Sequence, residues 1–360
     1  MKELINERNN RQVAKWLLAG VAMIIVQVLI GGITRLTESG LSITEWEPFK
    51  GALPPLNQID WQIQFDKYKA TDQFKYVHQH FSLSQFKFIF FWEWFHRVWA
   101  RLLGIVFLAG FIYFVVKKKF TRQMVLPMII LFVLGAMQGL VGWLMVKSGL
   151  VPEKYYVGHV ELTTHLLAAV ILLAYTAWFA FSLLPAMQVK ATHKSAGPYL
   201  VTIFALLLLQ LIYGGFMAGL KAAASAPTWP SINGSIMPGS MNEMSPWALN
   251  LVNNPIMIHF IHRGVGYLLL IFVILFFVTS RKVITHALFS KASTGLLLLF
   301  ITQVMLGIFT VILSTNKTAL VWLGVSHQFV AMLIVICLTA LLFLIKKNRE
   351  SSKHQTYQSV

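Results

Sequence analysis

Acidic side chains are scarce in this 360-residue chain, with 13 Asp and Glu against 30 Lys and Arg, and charged residues of both signs make up only 12% while 57% are hydrophobic. A cytosolic enzyme is excluded, because a soluble surface needs about 25% charged residues. Cysteine is nearly absent as well. One residue, Cys337, cannot build a disulfide or a thiolate metal cluster within one chain. Its place in the last apolar run marks it as a small apolar filler.

What is present is apolar length. Hydrophobic runs of 18 or more residues lie at about 16–33, 88–116, 125–146, 160–184, 199–220, 256–280, 294–314 and 319–345. Each is long enough to cross a bilayer, so the sequence predicts an all-α integral membrane protein with eight transmembrane helices. The first run follows a charged stretch but is too long for a signal peptide and lacks a small-residue cleavage pattern, so it is expected to be retained.

The net charge of +17 is explained by location. The N-terminal tail, the 117–124, 185–198 and 281–293 loops and the tail after position 345 together hold 17 basic residues, opposed only by Glu3, Glu7 and Glu350. The positive-inside rule then puts both termini in the cytoplasm. No basic domain lies outside the bilayer, so nucleic acid is not an expected partner; the polybasic ends face anionic lipid instead.

The chain repeats itself. Gln27-x-x-x-Gly31-Gly32 recurs as Gln210-x-x-x-Gly214-Gly215 at an offset of 183, which also carries Trp46 to Trp229, Gly51 to Gly234 and Pro55 to Pro238. His96-Arg97 recurs as His262-Arg263 at 166, Gln138-x-x-x-Gly142 as Gln303-x-x-x-Gly307 at 165, and His165 as His327 at 162. Two four-helix halves are therefore expected, 16–190 and 191–345, between cytoplasmic tails 1–15 and 346–360. Four is an even number of crossings, so the halves keep the same orientation, as parallel repeats with pseudo-two-fold symmetry. The glutamine and glycine one turn apart read as a helix-packing device, the glycine bringing backbones together while the amide bonds across the contact.

Every even helix carries one histidine, His96, His165, His262 and His327, each ~10 to 16 Å inside the extracytoplasmic helix end. Two imidazoles facing each other across a bundle are a natural axial pair for haem iron, giving one porphyrin site per half. Copper or zinc would gather all ligands around one point, with carboxylate or sulfur partners. The other histidines, His78, His80, His159, His193, His259, His286 and His354, lie in loops, tails or helix ends and are expected to be mostly solvated; a weak metal site at His78 and His80 ranks below that reading.

The repeat breaks at two carboxyl groups. Glu93, three residues before His96, corresponds to His259, and Glu161, four before His165, corresponds to Leu323. A carboxylate inside a bilayer costs about 2.5–3.5 kcal/mol and asks for a reason. One reason is pairing with Arg97 at i+4. Another is chemistry in the first half, with a permanent electron-transfer haem in the second. Arg97, Arg101, Arg263 and Arg35 stand where guanidinium groups clamp propionates or helix-end carboxylates. In the long outer loop 34–87, Ile59, Ile63 and Phe65 are spaced as in a short helix lying on the membrane surface.

The stretch from Gly31-Gly32-Ile33-Thr34-Arg35-Leu36-Thr37-Glu38 through Ser39-Gly40-Leu41-Ser42-Ile43-Thr44-Glu45-Trp46, with Pro48, Gly51 and Pro54-Pro55, resembles the signature of the haem A synthases of proteobacterial and mitochondrial type. The resemblance extends to Glu93-x-x-His96-Arg97, His165, His262-Arg263 and His327. It implies a multi-pass inner-membrane oxidoreductase that converts the C8 methyl of haem O to the formyl of haem A for cytochrome oxidase. It implies further that His262 and His327 hold the iron of a permanent haem b, that His96 and His165 flank the substrate haem, and that Glu93 assists catalysis. Haem O synthase, oxidase assembly factors and an electron-transfer partner are the implied associates. Some bacterial members carry a cysteine pair in an outer loop; this chain has none. A two-haem electron carrier acting with quinone is the competing reading, disfavoured because its haems would stack across the membrane. A transporter is disfavoured by the scarcity of midplane ionisable groups.

Overall fold

A computed structural model describes residues 2–45, 50–188, 196–283 and 287–356. Trp46, Pro48, His193 and His286 lie outside them, as does the 190/191 boundary expected between the halves. The eight spanning helices are α1 (Lys2–Leu36), α2 (Leu83–Val116), α3 (Arg122–Gly149), α4 (His159–Ser182), α5 (Ala196–Gly219), α6 (Pro255–Val283), α7 (Ala287–Ile312) and α8 (Lys317–Thr356). All eight are long and apolar enough to cross a membrane, and no strand occurs among the described residues.

Local chemistry sets the helix ends. Ser82 and Gln85 form a capping box at the start of α2, and Asn316 caps α8 by accepting from the Ala319 amide at 3.0 Å. The helix expected on the outer face runs Gln58–Lys69, capped by Asn57. The polar ends are helical: α1 begins at Lys2 and α8 runs to Thr356, because both ends lack Gly and Pro and simply prolong a helix nucleated in the apolar segment.

Helices α1, α4, α5 and α8 form the middle of the molecule, α4 packing on α1, α3, α5 and α8. In the most apolar stretches of α4 and α8, 50% and 56% of residues are buried, against 6% in α2, so α2 is a peripheral, outward-facing helix. The core, with Leu173, Ala177, Leu200, Leu338 and Leu341, runs continuously across the centre.

The outer segment between α1 and α2 folds into a cap with its own aromatic core of Phe65, Tyr68, Phe86, Ile89 and Phe90. This corrects the expectation of solvated histidines. His78 is buried under the cap, stacked on Phe81 and bonded to the Tyr68 hydroxyl at 2.7 Å and Glu38 at 3.2 Å. His259 in α6 is fully buried, and His159 packs against Phe216 of α5.

Candidate functional site

Each of the four intramembrane histidines meets the Gln-x-x-x-Gly motif of the spanning helix that precedes its own. A β-carbon on Gly31, Gly142, Gly214 or Gly307 would stand 3.1, 2.7, 3.3 and 3.1 Å from the imidazole of His96, His165, His262 and His327 respectively. The glycines therefore make room for a ring, where sequence reasoning expected room for a backbone. The glutamines do bond across the contact, and their partner is the histidine itself. Gln138 Nε2 lies 3.3 Å from His165 Nδ1, Gln210 Nε2 3.3 Å from His262 Nε2, and Gln303 Nε2 3.1 Å from His327 Nε2. Gln138 also donates to the His165 carbonyl at 3.3 Å, whereas Gln27 makes only the corresponding backbone bond, to the His96 carbonyl at 3.2 Å.

Glu93 is buried at 3% exposure and fully engaged. Arg97 reaches it at 2.5 Å, the Ser42 hydroxyl donates at 2.7 Å and the Ile43 amide at 2.9 Å. The i+4 pairing is thus present, and the signature stretch after α1 closes over it. Ser42 and Ile43 were not singled out from sequence; the only signal was their place within that stretch. Arg97 also donates to the carbonyls of Ile43 and Glu45, while Arg263 donates to His259 and to the carbonyls of Thr228, Pro230 and Ser231. Glu45 and Thr228 are related by the same offset of 183. One half therefore holds a carboxylate–arginine pair where the other holds an imidazole–arginine pair. The expected second carboxyl does not join the first: Glu161 sits in the first turn of α4 beside Gly158 and is not among the cavity-lining residues. Arg35 donates to the carbonyls of Ala218 and Gly219, both at 2.8 Å, and Arg101 to that of Gly51 at 3.3 Å.

All four histidines line one continuous cavity of about 2250 Å³, more than twice the upper end of the about 300–1,000 Å³ that a single small-molecule site occupies. Its two sides differ. Helices α6 and α7 pack closely, whereas α2 and α3 do not, meeting mainly through Phe107 and Phe111 against Phe132. Gly104, Gly135 and Gly139 line the cavity on that side with open space where a β-carbon would be. At the matching offsets the other side carries Leu270, Phe300 and Val304.

The donor set fits porphyrin iron. The His262 and His327 rings face each other with centroids 6.5 Å apart, and each keeps one buried nitrogen without a hydrogen-bond partner. Among the described residues no three His, Cys, Asp or Glu side chains gather as a metal-ion cluster. Half-buried imidazoles in glycine cradles along an apolar cavity, two of them paired, define a multi-pass membrane protein of a kind suited to flat macrocycles. The family model described as cytochrome oxidase assembly protein, COX15-CtaA, matches residues 14–339, and the chain belongs to that family. It is 40% identical to a haem A synthase of Novosphingobium aromaticivorans over 335 residues, covering 91% of this chain and 93% of the relative. Haem A synthases of Nitrosospira multiformis and Flavobacterium psychrophilum are 38% and 37% identical, over 90% and 92% of this chain and 90% and 97% of theirs.

Proposed function

We propose that this chain is a haem A synthase of a bacterial inner membrane, oxidising the C8 methyl of haem O to a formyl group, with both termini in the cytoplasm. The first four helices take the substrate haem between His96 and His165. The last four hold a haem b between His262 and His327. The halves are related as parallel repeats about an axis along the membrane normal. The observation that carries this reading is the difference between two otherwise matching pockets: Glu93 and three open glycines on one side, His259 and three apolar side chains on the other. The roomier, protic pocket suits a substrate that must enter, react and leave. The filled one suits a resident group.

Converting methyl to formyl replaces two hydrogens by one oxygen, a four-electron oxidation; with water as the oxygen source four electrons and four protons leave, bound haem would supply the redox centre and an electron-transfer partner would take up the electrons. The chain's own residues supply the rest. His96 and His165 orient the porphyrin. Glu93, ion-paired with Arg97, is the group placed to exchange a proton with the reacting centre, and the Ser42 hydroxyl bonded to it links it to the outer cap. The substrate comes from the class of enzyme that attaches an isoprenoid to haem, and the product goes to oxidase assembly factors.

The test is to purify the protein, extract its pigments and identify them by mass. Haem B together with haem O or haem A supports the synthase. Haem B alone, at two per chain, favours an electron carrier.

A further inference from the structure

Three of the four imidazoles are held at the ring by a glutamine, and one is not. Gln138, Gln210 and Gln303 reach the rings of His165, His262 and His327 at 3.1–3.3 Å. Gln27 spends its amide on the backbone carbonyl of His96, and no hydrogen bond to the His96 ring occurs among the described residues. The Oε1 atoms of all four glutamines are buried without partners. Turning the terminal amide by half a revolution exchanges its oxygen and nitrogen in nearly the same space, so at three sites an acceptor is available to the ring. An imidazole that ligates iron through one nitrogen carries a proton on the other, and a fixed acceptor for that proton sets the tautomer, the ring orientation and the basicity of the ligand.

We infer that Gln138, Gln210 and Gln303 are positioning residues that lock their histidines as axial ligands, and that His96, unlocked, is the exchangeable ligand of the first site. This rests on the functional reading above and deepens it. Both ligands of the second pocket are locked, as a resident haem requires. In the first pocket only His165 is locked, so a porphyrin can dock on it while the His96 ring swings aside and returns. The glycine cradle is common to all four sites, a β-carbon on Gly31 standing 3.1 Å from His96 Nε2, so it is the missing glutamine bond to the ring that sets His96 apart.

The experiment uses the full-length protein in nanodiscs carrying haem B in its second site. Gln210→Leu and Gln303→Leu keep side-chain bulk and remove the hydrogen bond. Each is expected to speed transfer of that haem to apomyoglobin about 10- to 100-fold and to shift its low-spin electron paramagnetic resonance signal. Gln210→Glu, which keeps an acceptor, is expected to restore retention and to lower the midpoint potential, a change that mere packing would not produce. Wild-type loss rates with unshifted signals in both leucine variants overturn the locking role. At the first site, optical titration with haem O is expected to give a retained, five-coordinate porphyrin in His96→Ala and loss of binding in His165→Ala. Equal losses in those two variants overturn the assignment of His96. A wild-type first site that takes up no haem O overturns the functional reading instead, while leaving the second-site measurements to decide the role of the glutamines.

Discussion

Glu38 and Lys221 stand 183 positions apart, one just after α1 and the other just after α5, and they are ion-paired with each other. Both residues adopt left-handed backbone conformations, φ 60° and 52°, so each chain turns sharply as it leaves its helix and the two side chains meet. Lys221 also lies 3.8 Å over the Tyr156 ring, and the Tyr156 hydroxyl donates to Glu38 at 3.3 Å. Two positions related by the 183-residue sequence offset thus carry opposite charges and fasten the ends of α1 and α5 together.

That fastening is pH-dependent. The His78 hydrogen bond, with Lys221, holds the Glu38 carboxyl at about 2 against its ordinary 4.5, although burial opposes them. A lowered acid pKa gives stability that is present above 4.5 and is lost as pH falls toward 2. The contribution is about 1 kcal/mol, because the pair is partly exposed. Thermal unfolding of the detergent-purified protein is expected to weaken over that interval, and Glu38→Gln to flatten the dependence. A variant with the wild-type pH profile would place the acid sensitivity elsewhere.

His262→Ala or His327→Ala is expected to remove the low-spin spectrum of the resident haem and abolish haem A formation, since bis-imidazole ligation does not survive the loss of one axial ligand. Optical and electron paramagnetic resonance spectra of the purified variants check this. A wild-type spectrum in both refutes the ligand assignment.

Glu93→Gln preserves size and hydrogen bonding but removes the carboxylate. The resident haem should stay, while oxidation of haem O falls about 10²- to 10⁴-fold, the range of one acid–base group. Wild-type turnover would leave Glu93 as the anchor of Arg97 and the outer cap alone.

Filling the open side of the cavity is expected to separate the two pockets. Gly104→Leu, Gly135→Phe and Gly139→Val copy the second half into the first. They should impair binding of haem O without disturbing the haem at His262 and His327. Titration with haem O and with haem B, which lacks the isoprenoid chain, measures whether the loss is specific to the tailed porphyrin; equal affinities for haem O in filled and wild-type protein would show that these glycines do not line its path.

The loops 34–87 and 221–255 are expected on the extracytoplasmic side. Single cysteines placed there in a Cys337→Ala background should react with an impermeant thiol reagent in intact spheroplasts. Labelling only after lysis would invert the topology.

The eight helices and the facing of His262 and His327 were legible in the sequence because length, hydropathy and a fixed repeat offset are one-dimensional signals. Contacts made across helices are not. Gln210 and His262 lie 52 positions apart, and nothing in their spacing says that amide meets ring rather than backbone. Glu161 misled for a geometric reason: it stands four residues before its histidine where Glu93 stands three before, and these two steps fall on opposite sides of the histidine's helical face. His78 was misjudged because the 34–87 segment, polar and loop-like in composition, builds a small aromatic core of its own and buries an imidazole in it.

The loose contact between α2 and α3 has a bearing on supply. An apolar cavity flanked by two loosely packed helices, at the depth of the lipid chains, favours exchange of its contents by two-dimensional diffusion in the bilayer over release into water. A greasy porphyrin then meets the enzyme at a rate set by its density in the membrane. Its arrival then competes with the other tailed lipids of that leaflet.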